Sequence, residues 1–216
     1  MKYIWPVIGL LTFSACSDNS ATATPAKPAY DESWYISPGW PGEYPNGFTV
    51  LKEGVVLAGR TAMNKQLAKS LQCPVPRKAN YNQWNHERVK ADKLEFVAAA
   101  KTFPVTIKQG INVPAVAGEK DVTLSFKAGE TLTYLTYIAE GFALMQYQDV
   151  EYQINEGDLG DQASFGEGRK IIDDLWVNIP CADGQRGWIL YAELQGMDGI
   201  GETEYMEYGV SGDLTD

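Results

Sequence analysis

Histidine chemistry in this chain depends on one residue, because His86 is the only histidine among 216 residues. It lies in Gln83-Trp84-Asn85-His86-Glu87-Arg88, beside no nucleophile motif, and the chain has no G-x-S-x-G sequence. A Ser-His-Asp triad needs its histidine next to an activated serine. We therefore expect His86 to be a surface polar residue and the protein to have no catalytic residues. A two-carboxylate hydrolase stays an alternative, because carboxylates are abundant.

Carboxylates are densest in the Gly- and acid-rich segment 155–174, at Glu156, Asp158, Asp161 and Glu167. Such hard oxygen ligands could hold Ca²⁺, but their spacing does not fit an EF-hand loop. A solvated acidic loop is the favoured interpretation. We predict no metal site and no cofactor.

The charge balance excludes one class of partner. The chain has 18 Lys+Arg against 28 Asp+Glu, a formal net charge of −10, and no run rich in Lys or Arg. A phosphate backbone would be repelled, so nucleic-acid binding is not expected. With 44% hydrophobic and 21% charged residues, the composition is that of an ordinary globular protein with a real core.

The N-terminus has the pattern of a signal peptide over residues 1–15. Lys2 precedes an apolar run, Tyr3 to Phe13, that is too short to cross the ~30 Å core of a bilayer. The motif Phe13-Ser14-Ala15-Cys16 that follows resembles the lipobox of bacterial lipoproteins, with Phe where Leu is more usual. A plain secretory signal with an incidental cysteine is the alternative.

The lipobox resemblance implies that Cys16 carries acyl chains, which would hold the protein on a membrane. Ser17 after this cysteine is similar to the sorting pattern of outer-membrane lipoproteins in Gram-negative bacteria. Residues 16–33 are rich in Ser, Ala, Thr and Pro, which is typical of a flexible tether. We expect a lipid-anchored protein of the cell envelope, at the outer membrane and facing the periplasm.

Export leaves Cys73 and Cys181 as the remaining thiols in an oxidising compartment. A disulfide between them is the economical prediction. The alternative is that one of them forms a Cys/His nucleophile pair with His86.

Up to about residue 93, the sequence predicts loops, strands and helices. Aromatic residues alternate with Pro and Gly in Ser33–Phe48, which predicts an ordered loop that either covers the core or stacks on a ligand. Short strands are expected at Thr49–Leu51 and Gly54–Gly59. Met63, Leu67 and Leu71 behind Thr61 predict a helix over 61–72, and a second helix is expected over 83–93 with Asn82 as its cap.

From Leu94 onward β-branched and aromatic residues predict strands at 95–98, 104–108, 122–126 and 131–138, with a turn at 127–130. Residues 142–154 and 176–190 each predict a hairpin, with turns at Gln148-Asp149 and 182–185. The segment 155–174 between them predicts a long excursion without a strand. Near the acidic C-terminus, Tyr205, Met206 and Tyr208 predict a last edge strand.

Two motifs resemble bacterial SH3-like domains across roughly residues 119–195. One is Trp176-Val177 followed by Asp183-Gly184-Gln185-Arg186-Gly187-Trp188-Ile189 and Leu190-Tyr191-Ala192-Glu193-Leu194; the other is Lys127-Ala128-Gly129-Glu130-Thr131-Leu132. The chain departs from that family in its 155–174 insert and in lacking the opening "LNVRSGP". The residue patterns predict a mainly β protein with one or two short helices and an α+β segment over 34–118. The resemblance implies that a small SH3-like β-barrel follows over 119–216.

Binding is predicted at Trp188, Tyr191 and Tyr137, with Trp176 in the core. Exposed Trp and Tyr supply rigid contact area, and an acidic domain attracts cationic or amide-rich groups. The alternative is that these rings only fill a barrel.

We therefore expect a non-catalytic lipoprotein that binds peptidoglycan or an envelope protein. A cell-wall hydrolase or hydrolase accessory, and a structural subunit of an envelope complex, are the other hypotheses.

Overall fold

Two hydrophobic cores organise the strands in the computed structural model, which describes residues 29–166 and 173–214. The protein is mainly β, as predicted. The chain first contributes the following elements to one core: β1 (Trp34–Ser37), β2 (Gly47–Val50), β3 (Val56–Gly59), β4 (Leu71–Pro74), β5 (Asn80–Asn82), helix α1 (His86–Ala91) and β6 (Glu95–Lys101).

The next stretch of chain forms an antiparallel sheet of seven strands with its own core. Val105, Leu132 and Met145 are completely buried there. Its elements are β7 (Phe103–Ile107), β8 (Ile111–Ala117), β9 (Lys120–Phe126), β10 (Thr131–Ala139), β11 (Phe142–Tyr147), β12 (Val150–Asn155), α2 (Glu156–Leu159), a 3₁₀ turn (Gly160–Gln162) and β13 (Ala163–Ser164). The strand order is β13-β7-β10-β11-β12-β8-β9.

The chain then returns to the first core with β14 (Asp173–Pro180), β15 (Arg186–Leu190), a 3₁₀ turn (Tyr191–Glu193) and β16 (Ile200–Glu202). β14 pairs with β6 and β15, giving the sheet β1-β6-β14-β15, while β16 adds to β2 and β5. β3 and β4 form a separate pair. The first core is therefore built from both ends of the described chain, and the seven-stranded sheet is inserted between them.

The strands of the SH3-like resemblance lie in more than one sheet. β9 to β13 belong to the second core, whereas β14 and β15 belong to the first. The sheets are not closed into a barrel, so the SH3-like barrel stays a prediction. The predicted boundary between residues 118 and 119 falls in the turn of the β8–β9 hairpin.

The helix predicted over 61–72 is wrong. Asn64 turns the chain locally, because its side-chain oxygen accepts the N–H of Gln66 and its carbonyl accepts the N–H of Leu67. This side-chain bonding competes with helical hydrogen bonds. Leu71 instead begins β4, where Leu71 and Cys73 alternate with exposed residues and pair with β3.

The helix predicted over 83–93 is shorter than expected. Asn85 accepts the N–H of Arg88 and caps α1, while the predicted cap, Asn82, accepts the N–H groups of Trp84 and Asn85 just before the helix. Both predicted hairpins are confirmed. Gln148 and Asp149 have φ values of 49° and 62° in the turn between β11 and β12.

Two predictions for the later chain need correction. The edge strand expected near Tyr205 is instead β16 at Ile200–Glu202, and a tight turn follows in which the N–H of Met206 bonds the carbonyl of Val210. That turn satisfies its own backbone groups. The excursion from residue 155 includes the two-residue strand β13, which pairs with β7.

Candidate functional site

A disulfide joins Cys73 in β4 to Cys181 directly after β14, with sulfurs 2.07 Å apart and a sequence separation of 108. The predicted pairing is confirmed. Gly187 on β15 packs against this bond: a Cβ atom there would lie 2.6 Å from the sulfur of Cys181 and 2.7 Å from that of Cys73. Only glycine leaves room at this position.

A buried ion pair fixes the turn after β15. Arg60 is 4% exposed, and its two terminal nitrogens donate to both carboxylate oxygens of Glu193 at 2.8 and 2.6 Å. The guanidinium lies 5.6 Å from the ring centroid of Trp176, which is completely buried as predicted. Hydrogen bonds from Arg60 hold the pKa of Glu193 below its ordinary value, against the opposing effect of burial, and Lys69 adds to the lowering.

The three predicted binding residues lie apart. Trp188 is half-buried in β15, where its backbone exchanges hydrogen bonds with Arg60. The hydroxyl of Tyr191 donates to the carbonyl of Gly47 at 2.8 Å and accepts its N–H at 3.1 Å, so Tyr191 clamps β2. Tyr137 is exposed on β10, in the other sheet.

Tyr137 lines a cavity of about 820 Å³, which we call the aromatic groove. Residues 40–44 and Tyr208 face strands of the second sheet across this groove. Five aromatic side chains line it, each between 38% and 76% exposed: Trp40, Tyr44, Tyr137, Phe142 and Tyr208. They come from three stretches that are distant in sequence. A cluster of large apolar side chains that stay exposed is typical of an interaction site.

Tyr191 lines a neighbouring cavity of about 670 Å³, which we call the tyrosine cavity. Gln195, Glu202 and Tyr205 are among its lining residues. Tyr44 lines both this cavity and the aromatic groove.

Ring contacts around Trp84 fix the positions of the aromatic side chains near the C-terminus. The ring of Trp84 meets Tyr205 at 5.6 Å and Tyr208 at 5.3 Å between centroids, both edge to face. Tyr205 in turn meets Tyr44 at 6.0 Å. Such pairs add to the stabilisation from burial.

Residues 203–214, called the tail below, are held by two buried asparagines. The amide of Asn80 donates to the carbonyls of Glu204 and Gly212 at 2.6 and 2.8 Å, and its oxygen accepts the hydroxyl of Thr203 at 2.7 Å. The amide of Asn82 donates to the hydroxyl of Ser211 at 2.6 Å. The tail therefore follows a defined path, with its aromatic rings aimed at the two cavities.

The charge of the two cavities is one-sided. Glu43 and Glu140 line the aromatic groove and Glu202 lines the tyrosine cavity, whereas neither described lining includes Lys, Arg or His. An anionic ligand would meet carboxylates without a compensating cation. Neutral or cationic ligands are therefore favoured.

His86 is exposed at the first position of α1, as expected, and is among the residues lining a third, mostly apolar cavity of about 520 Å³. In the predicted acidic loop, Glu156 accepts the hydroxyl of Tyr134 at 2.7 Å, and Glu167 lies outside the described residues. Within the described ranges, no group of three His, Cys, Asp or Glu residues is placed to hold a metal ion.

The lipidation site predicted at Cys16 lies outside the described residues. No helix within residues 29–166 or 173–214 has the length and apolar character to cross a bilayer.

Comparisons with models of known protein families, with curated proteins and with solved structures find no match to this chain.

Sequence reasoning identified part of this surface. The alternation of aromatic residues with Pro and Gly at 33–48 left a ligand-stacking surface open, and Trp40 and Tyr44 come from that segment. The sequence predicts strands at Phe142 and Tyr208 without indicating that their rings stay exposed, and Phe142 does begin β11. Their exposure on one groove follows from the insertion of the second sheet, which leaves no local pattern in the sequence.

Proposed function

We propose that this protein is a non-catalytic cell-envelope lipoprotein that binds a cell-wall glycan in the aromatic groove. The observation that carries the proposal is the set of five exposed aromatic side chains lining one cavity. An interaction surface built from rigid rings loses little conformational entropy on binding.

A sugar matches the chemistry of the groove. The face of a pyranose carries C–H groups that pack on aromatic rings, while the hydroxyls at its edge need hydrogen-bond partners. Glu43, Glu140 and Gln153 supply carboxylate and amide oxygens among the same lining residues. The pairing of Cys73 with Cys181 supports a non-catalytic role, because neither sulfur is a free thiolate.

The envelope location rests on the N-terminal sequence. Acyl chains on Cys16 would anchor the protein, and the Ser-, Ala-, Thr- and Pro-rich sequence before Tyr30 would let the groove stand away from the membrane and reach the wall. The predicted tether 16–33 is too long at its far end, because the hydroxyl of Tyr30 already accepts the indole N–H of Trp176 at 2.7 Å. The Cys16→Ser variant should therefore leave the membrane fraction and appear in the soluble periplasmic fraction. Unchanged membrane fractionation and processing of this variant would contradict lipidation at Cys16.

Sedimentation with isolated peptidoglycan tests the binding function. Wild-type protein should co-sediment, and Trp40→Ala should lower the bound fraction several-fold while the thermal transition stays unchanged. Tyr208→Ala should lower the bound fraction as well, with a small loss of stability because its ring no longer packs on Trp84. Met206→Ala is the matched control, because Met206 lies on the same tail, is 83% exposed and is not among the groove residues. It should bind like wild type.

Other outcomes assign other functions. A wild-type protein that ignores peptidoglycan but co-purifies with an envelope protein through the same residues would overturn glycan binding and support the structural-subunit hypothesis. Release of soluble sugar from the wall by purified protein would support the hydrolase hypothesis instead.

A further inference from the structure

The aromatic groove and the tyrosine cavity share one wall, the side chain of Tyr44. We propose that the ligand is a linear, uncharged oligosaccharide that passes over Tyr44 and occupies both cavities at once. This inference rests on the proposed function and extends it, because it specifies the length and the charge of the glycan.

The tail supports continuity between the two cavities. Tyr205 lines the tyrosine cavity, and Tyr208, three residues later, lines the aromatic groove. Both rings pack on Trp84, at 5.6 and 5.3 Å. One rigid ring stack therefore contributes a wall to each cavity, and Tyr44, which is 72% exposed, lies against Tyr205 between them.

The size of the cavities sets the length of the ligand. Their volumes, about 820 and 670 Å³, each fall within the range of about 300–1,000 Å³ that is usual for a site holding one drug-sized molecule. A disaccharide is a molecule of that size. Filling both cavities therefore needs a longer chain, and the extended shape of a linear glycan suits two cavities in a row.

The lining residues set the charge of the ligand. Glu202, Gln195 and Thr203 offer hydrogen-bonding groups for sugar hydroxyls and amides in the tyrosine cavity, as Glu43 and Glu140 do in the groove. The two described linings contain no cationic side chain, so the charged groups of a polyanionic glycan would lose their hydration without forming an ion pair. An uncharged chain avoids that penalty.

Calorimetry with the full-length protein and linear N-acetylglucosamine oligosaccharides of defined length, which carry no charge, tests the proposal. A hexasaccharide should bind at least about tenfold more tightly than a disaccharide, because the second cavity is engaged intramolecularly. Equal affinity for the two lengths would overturn the two-cavity proposal, while the proposed function would stand on the sedimentation result.

Variants locate the second cavity. Gln195 is exposed and lines the tyrosine cavity but not the aromatic groove. Gln195→Ala should therefore weaken the binding of the hexasaccharide, and Gln195→Trp should make the hexasaccharide bind no more tightly than the disaccharide. The affinity for the disaccharide should stay unchanged in both variants. Trp40→Ala should weaken both lengths, and Met206→Ala neither. Hexasaccharide affinity that is unchanged in both Gln195 variants would contradict the proposal. Failure of every oligosaccharide and of whole peptidoglycan to bind would instead refute the proposed function.

Discussion

Gly187 is the residue at which a single added carbon has the clearest predicted effect. Its Cβ atom would overlap both sulfurs of the disulfide, at 2.6 and 2.7 Å, and the bond between the sulfurs keeps either one from moving away alone. We expect Gly187→Ala to lower the free energy of unfolding by about 1–3 kcal/mol, the range of overpacked cores. Urea denaturation measures this. Gly212→Ala is the control, since nothing lies within 4 Å of its Cβ position; equal stability of the two variants would contradict the prediction.

The free energy of unfolding depends on pH through Glu193. Because Arg60 holds its pKa in the folded protein below the unfolded value of about 4.3, the ionised form stabilises the fold above pH 4.3, and this contribution is lost as pH falls through the folded pKa. We expect Glu193→Gln to lower the free energy of unfolding by about 1–3 kcal/mol at pH 7 and by much less at pH 3. Urea titrations at both pH values test this. Asp198→Asn, which breaks a surface pair with Lys52, should show no such difference.

The tail is the element whose position depends on polar groups more than on apolar burial. In Asn80→Ala, the buried hydroxyl of Thr49 loses the oxygen to which it donates, and the carbonyls of Glu204 and Gly212 lose the Asn80 amide. We expect a loss of about 2–3 kcal/mol in the free energy of unfolding, because a buried hydroxyl is left without its acceptor, and faster proteolysis within 203–214, because the tail is held by fewer hydrogen bonds.

Limited proteolysis followed by mass spectrometry detects the released tail. Asn112→Ala is the control for the asparagine variant, because Asn112 accepts a hydrogen bond from Ser125 on an exposed face of the second sheet. Cleavage of the tail at the wild-type rate in Asn80→Ala would show that Asn82 and the ring stack around Trp84 hold it without Asn80.

At the scale of the whole molecule, the two cores should differ in their response to reduction. The disulfide closes a loop of 108 positions and joins elements of the first core only, so Cys73→Ser with Cys181→Ser should destabilise that core by about 4–5 kcal/mol in the chain-entropy model. The second core, whose buried residues lie between 105 and 163, contains no cysteine.

Hydrogen exchange on the double serine variant tests this difference. The backbone amides of β10 and β11 should keep their protection when those of β2 and β5 lose theirs. Simultaneous loss in all four strands would show that the cores unfold as one unit.

Local signals determined much of this protein. The hairpin turn at Gln148-Asp149, the turn at Asp183-Gly184 and the burial of Trp176 follow from residues that are close in sequence or from one dominant side chain. The disulfide was predictable from the number of thiols, because Cys73 and Cys181 have no partner but each other if Cys16 is acylated as predicted.

Tertiary structure decided the rest. Leu67 and Leu71 have helical spacing, yet Leu71 pairs with Gly59 in a strand, because the hydrogen bonds of β3 and the burial of Cys73 outweigh a weak local propensity. The aromatic groove likewise has no local signature. Trp40, Phe142 and Tyr208 line one groove because the chain forms the second sheet between the two parts of the first core and because Asn80 holds the tail. Residues so far apart in sequence leave no periodic pattern in the chain.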